Sequence, residues 1–207
     1  MTDFSRGSRS RITFGPQINA SPVWSPDGSR FVFRKLNGGL IEFYLKSAAG
    51  GGEENALLVG SQERAAGIDA INLVPSDWSP DGKSIIYAVP ALVSDFDLWL
   101  LPMAGDKKPV KFLSAPASQI HANFSPDGRL VAYTSNESGR YEVFVQTFPL
   151  SQRKCQVSTN GGYEPRWRAD GREIYYLSED RKLMAVSVGT GPVFDAPKTL
   201  FQRMCCK

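Results

Sequence analysis

A chain of 207 residues with 42% apolar and 22% charged side chains and a net charge of +3 can bury one sizeable core and needs no second domain. Its basic residues stand singly or in small groups, such as Arg6, Arg9 and Arg11, or Lys107, Lys108 and Lys111. A nucleic-acid surface calls instead for a basic stripe with interleaved aromatics. The longest apolar stretch, Leu98 to Ala104, contains Pro102 and is too short to span a bilayer. Met1 to Arg6 lacks the apolar core of a secretory signal, so the expectation is a chain with no export or anchoring device of its own, in a compartment left open.

Residues 1–18 make a polar lead that ends in a strand-like run, Arg11-Ile12-Thr13-Phe14. A five-residue stretch then appears, Trp24-Ser25-Pro26-Asp27-Gly28. It returns as Trp78-Ser79-Pro80-Asp81-Gly82, as Phe124-Ser125-Pro126-Asp127-Gly128 and, worn, as Trp167-Arg168-Ala169-Asp170-Gly171. The spacing shortens from 54 to 46 to 43 residues, a period that suits the four-stranded blade of a β-propeller.

Behind each copy the same layout of short β-rich runs follows. The first copy gives Phe31 to Phe33, Ile41 to Leu45 and Leu57 to Val59. The second gives Ile85 to Tyr87, Asp97 to Leu100 and Val110 to Leu113. In the third, Ile120 to Phe124 leads into the motif, and Leu130 to Thr134, Tyr141 to Gln146 and Gln156-Val157 follow. The fourth has Ile174 to Tyr176, Leu183 to Val186 and Thr199 to Phe201. These runs are rich in Val, Ile, Tyr and Phe and bounded by Gly, Pro, Asn and Ser, which reads as strand. No segment holds a 3.6-residue apolar period over three turns. Ser61 to Ala66, in the longest spacing, is the nearest helical candidate and suits a single turn.

The motif itself is turn chemistry. Proline fixes φ near −65°, Ser and Asp offer oxygens to nearby amides, and Gly accepts the positive φ that closes the hairpin. The structural set is therefore Trp24, Pro26, Asp27 and Gly28; Trp78, Pro80, Asp81 and Gly82; Phe124, Pro126, Asp127 and Gly128; and Trp167, Asp170 and Gly171. Each aromatic is expected to wedge between neighbouring blades. Single aspartates beside proline lack the alternating oxygen ligands of a calcium loop, so no metal is assigned. Cys155, Cys205 and Cys206 form neither a disulfide framework nor a zinc pattern. Cys155 is expected to be a small packed residue and the terminal pair an exposed tail.

With these residues laid out, the chain resembles the TolB-like, WD-like β-propeller family, whose repeats carry the Trp-Ser-Pro-Asp-Gly core, over roughly residues 19–202. Tyr133 to Arg140, Gln156 to Gly162, Pro165 to Arg168 and Lys182 to Val186 look like the C-terminal propellers of bacterial eukaryotic-like serine/threonine kinases. Similar propellers follow transcriptional regulator domains. The resemblance implies a ring of about six blades, of which this chain carries four. The expected organisation is one all-β propeller domain over 1–207. Within it, 1–18 is the tail of a preceding blade, and the four blades span 19–60, 72–114, 118–158 and 162–202.

The resemblance also implies a sensory or protein-binding role for the propeller. No kinase is written here: there is no Gly-rich phosphate loop after a strand, no His-Arg-Asp loop and no Asp-Phe-Gly. The one histidine, His121, has no Gly-x-Ser-x-Gly elbow to serve, and the adjacent Glu53 and Glu54 read as solvated. Two functions stand. One is a non-catalytic module that binds a protein or peptide without a cofactor. The other is the gating propeller of a prolyl-oligopeptidase-like hydrolase whose catalytic domain lies elsewhere. For either, the polar residues just before each motif aromatic are the candidate channel-mouth site: Ser21, Ser76, Asp77, His121, Asn123, Glu164 and Arg166. A Glu164–Arg166 ion pair is the blander expectation for two of them.

Overall fold

The computed structural model describes residues 2–3, 8–9, 11–50, 52–58, 73–91, 95–151, 153–191 and 193–202. Strands β1 (Thr2–Asp3) and β2 (Ser8–Arg9) pair with each other. The rest forms four antiparallel sheets of four strands, each laid down in chain order. The first holds β3 (Asn19–Trp24), β4 (Arg30–Asn37), β5 (Leu40–Ser47) and β6 (Asn55–Leu58). The second holds β7 (Val74–Trp78), β8 (Ser84–Ala91), β9 (Asp95–Pro102) and β10 (Val110–Leu113). The third holds β11 (Gln119–Phe124), β12 (Leu130–Ser135), β13 (Glu142–Thr147) and β14 (Lys154–Gln156). The fourth holds β15 (Tyr163–Trp167), β16 (Glu173–Leu177), β17 (Lys182–Ser187) and β18 (Lys198–Gln202). Among the described residues there is no helix, and the first strands β3, β7, β11 and β15 stand side by side.

Two expectations change here. Arg11 to Phe14 is irregular rather than a strand, and no segment among the described residues pairs with it; Phe14 instead lies near the Lys46 ammonium, 5.9 Å from its ring centre. The Ser61 to Ala66 turn and the pair Cys205 and Cys206 lie outside the described residues.

The core sits between the sheets. On β8, Ile85, Tyr87 and Val89 pack against Val32, Ile41 and Phe43 of the first sheet. The alternate residues Ile86 and Ala88 pack against Val131 and Tyr133 of the third. A strand covered on both faces must be apolar throughout, which is why β8 reads as an unbroken run. Val143, Val145, Ile174, Tyr176 and Val186 close the last interface. A tyrosine recurs nine residues after the motif aromatic, as Tyr87, Tyr133 and Tyr176, each at 2% exposure or less, while the first sheet has Phe33 there.

The motif turns follow the expected chemistry closely. In the third copy, Gly128 N donates to Ser125 O (2.8 Å), Ser125 Oγ to Asp127 Oδ1 (2.6 Å), Arg129 N to the same oxygen (3.1 Å) and Leu130 N to Ser125 Oγ (2.9 Å). In the first copy, the Ser25 hydroxyl and the Ser29 amide hold the Asp27 carboxyl down to about 2. The worn fourth copy keeps the turn: Gly171 N donates to Arg168 O (2.9 Å), and the Arg168 guanidinium pairs with Asp170 (3.4 Å) in place of the missing hydroxyl. Gly128 and Gly171 each present their α-carbon to the proline of the preceding turn. An added Cβ would stand 3.7 Å from Pro80 and Pro126 respectively.

Three of the four motif aromatics lie at inter-sheet contacts. Trp78 is 4% exposed against the first sheet and donates Nε1–H to Gly82 O (3.0 Å). Phe124 packs in the cluster that holds Ile86, Leu98 and Phe112 of the second sheet, and Trp167 donates to Asn123 O of the third (3.2 Å). Trp24 departs from the expectation: it is 44% exposed, because no sheet among the described residues packs on that side. Glu54 also departs, since it is ion-paired rather than solvated, held by Lys35 and by Lys46 (3.3 Å). Burial opposes its ionisation, and the two ammonium groups outweigh that and hold its carboxyl below the usual range. Cys155, expected to be packed, is exposed on the outer strand β14.

Candidate functional site

Every first strand is interrupted by a register shift: between Ala20 and Val23, Pro75 and Asp77, Ile120 and Asn123, and Tyr163 and Arg166. On β11, Ile120 pairs with Thr134 and Asn123 with Ala132, so His121 and Ala122 together oppose Tyr133. That is a β-bulge, a device that bends a strand and re-aims its side chains. Three residues before the motif aromatic, the backbone turns left-handed at Ser21 (φ 51°), His121 (φ 54°) and Glu164 (φ 52°). Each such residue costs about 1–2 kcal/mol. The second sheet has Pro75 at this place, whose ring forbids positive φ.

The candidate residues cluster unevenly around these bulges. Asp77 accepts hydrogen bonds from Trp78 N (2.9 Å) and, across the sheet boundary, from Phe124 N (2.8 Å). Burial pushes its carboxyl up, against the pull of those two amides and of Arg166. Asn123, 9% exposed, accepts from Arg166 Nη1 at Oδ1 (3.0 Å), and Arg166 Nη1 also reaches Pro165 O (2.9 Å). His121 is half-buried, with Nδ1 enclosed and without a hydrogen-bond partner. Desolvation holds its imidazole below the usual value; Glu164 opposes that and Arg166 adds to it. Ser76 donates only to Val74 O (3.4 Å), and neither Ser76 nor Ser21 bonds to the other five among the described residues.

The expected Glu164–Arg166 ion pair does not form. Glu164 sits on the bulge, where its amide donates to Thr134 Oγ1 of the third sheet (3.2 Å), and Arg166 turns to Asn123. Thr134 is thus part of the site, and no sequence signal marked it, because it lies 30 residues away. No serine, cysteine or carboxylate bonds to His121 among the described residues, so the arrangement there holds hydrogen-bonding groups of both signs without an assembled nucleophile.

No family model matches the chain. The Tol-Pal system protein TolB of Francisella tularensis subsp. holarctica (strain OSU18) is 25% identical over 173 residues, covering 82% of this chain. The chain spans 37% of the length of that relative. Among solved structures, the putative TolB from Agrobacterium tumefaciens superposes with a TM-score of 0.75 at 18% identity, covering 94% of this chain and 70% of that one. The fold is a TolB-like β-propeller. An oligogalacturonate lyase from Vibrio parahaemolyticus shares it as well, with a TM-score of 0.67 at 14% identity, covering 97% of this chain and 59% of that one. Proteins of this fold include one named as an enzyme, so the fold alone does not assign chemistry, which must be read from the site. In a propeller, the bulged first strands β3, β7, β11 and β15 are the innermost strand of each blade, next to the axial channel.

Proposed function

We propose that this chain is a non-catalytic propeller module that binds a protein or peptide partner at the mouth of its axial channel, through Ser21, Ser76, Asp77, His121, Asn123, Glu164 and Arg166. The observation that carries this reading is the repeated left-handed residue on three inner strands, beside an acid and a base that leave each other unpaired. Strain of that kind persists where the surrounding structure over-determines it, and it gathers at binding sites. The naming of the relatives as members of a Tol-Pal system is consistent with a place in a protein assembly. The motif likeness to kinase-linked propellers supports a regulatory role within a longer polypeptide that carries a serine/threonine kinase or transcriptional regulator domain. In this reading the four blades belong to a larger ring, and the uncovered Trp24 is where another blade packs.

The test is a quantitative pulldown from the source organism with the wild-type chain, a His121→Ala/Arg166→Ala variant and a Lys154→Ala variant on the outer strand. Asp77→Ala is a poor choice, because it removes the acceptor for two backbone amides and costs stability. Loss of the captured partner with the mouth variant alone supports the proposal. Retention by the mouth variant with loss at the outer strand overturns it. The coding sequence around this chain separates the competing gating-propeller reading, which requires a hydrolase domain in the same polypeptide.

A further inference from the structure

Arg166 holds a donor edge that nothing among the described residues uses. Its Nη1 gives one proton to Asn123 Oδ1 (3.0 Å) and one to Pro165 O (2.9 Å), which exhausts that nitrogen. The Nε–H and Nη2 protons remain, and these form the side of a guanidinium that takes a carboxylate bidentately. Among the described residues no carboxylate pairs with Arg166, and the side chain is exposed. Its orientation is fixed from behind. Asn123 is buried, and the Asn123 backbone carbonyl accepts Trp167 Nε1 (3.2 Å).

The two nearby acids among the described residues, Glu164 and Asp77, are kept from this edge. Glu164 is two residues away, on a bulge whose amide is tied to Thr134, and it forms no pair with Arg166. Both Asp77 oxygens are engaged by the Trp78 and Phe124 amides. His121, whose charge state responds to both Glu164 and Arg166, has an enclosed Nδ1 without a partner.

We propose that the channel mouth takes one carboxylate of an acidic partner segment, gripped by Nε and Nη2 of Arg166. This rests on the channel-mouth reading above and names what that mouth selects. His121 is the sole histidine, so its ring resonances report this site alone.

The experiment titrates the full chain with a capped tripeptide bearing a central glutamate, and with its glutamine counterpart, while the His121 imidazole is followed by NMR. The glutamate peptide shifts His121 saturably and the glutamine peptide does not. Arg166→Gln abolishes the shift, and Arg166→Lys, which keeps the charge and loses the fork, weakens it about tenfold. Native circular dichroism of both variants excludes misfolding as the cause. Equal shifts from both peptides overturn the carboxylate selection and leave the mouth standing. Shifts confined to resonances remote from His121 overturn both readings, and absence of any shift overturns the carboxylate.

Discussion

Trp78→Ala and Trp24→Ala form a matched pair, since the two residues occupy the same motif position with different surroundings. Trp78 is 4% exposed, packs with Val23, Val32, Phe43, Tyr87 and Leu101, and has Arg30 of the first sheet 5.8 Å from its ring centre. Its truncation opens a cavity between two blades, forfeits the Nε1–H bond to Gly82 O and removes the cation–π contact. The expected loss is about 3–5 kcal/mol. Trp24 is 44% exposed and touches protein on one side, chiefly Phe31 with centroids 5.7 Å apart. No enclosed cavity follows its removal, and the expected loss is about 1–2 kcal/mol. Urea unfolding followed by far-ultraviolet circular dichroism measures both without depending on the tryptophans as probes. Equal losses from the two variants, or a loss under about 1 kcal/mol for Trp78→Ala, would refute the blade-wedge argument.

Two further outcomes follow from particular residues. His121 has its folded-state pKa lowered by desolvation, so the unfolded chain binds the proton more tightly. The stabilisation is fully present above the ordinary value of 6.5 and is lost as pH falls below it. His121→Gln lacks that loss, and urea midpoints of the two proteins at roughly pH 7 and about pH 5 diverge only on the acid side. The β16–β17 hairpin repeats the motif turn unannounced: Ser178 Oγ donates to Asp180 Oδ1 (2.6 Å), and Arg181 stands at φ 63° where the motif has Gly. Arg181→Gly raises stability by up to about 1 kcal/mol, read as a higher thermal midpoint; a lower midpoint counts against strain at that turn.

Much of this molecule was written locally. Pro80-Asp81-Gly82 and its copies specify a turn from within four residues, and the unbroken apolar run Ile85-Ile86-Tyr87-Ala88-Val89 specifies a strand covered on both faces. What escaped depends on residues far apart in the chain. The Arg166–Asn123 bond spans 43 positions, and nothing local tells Arg166 to prefer it over Glu164. The left-handed backbone at Ser21, His121 and Glu164 is likewise unreadable, because these residue types rarely adopt it and the bulge is imposed by the neighbouring strand. Glu54 looked solvated because its partners Lys35 and Lys46 belong to two earlier strands. Cys155 looked packable by type, yet β14 is a three-residue outer strand with every residue exposed.

The most direct test of recognition at the channel mouth is site-specific photo-crosslinking in the source organism. A photoreactive side chain is placed at position 76 beside Asp77, and in a second protein at position 155 on the outer strand. A single defined protein partner crosslinked from position 76, absent from position 155 and lost on adding Arg166→Ala, is the expected result. The same partner captured from position 155 and not from position 76 would contradict recognition at the channel mouth.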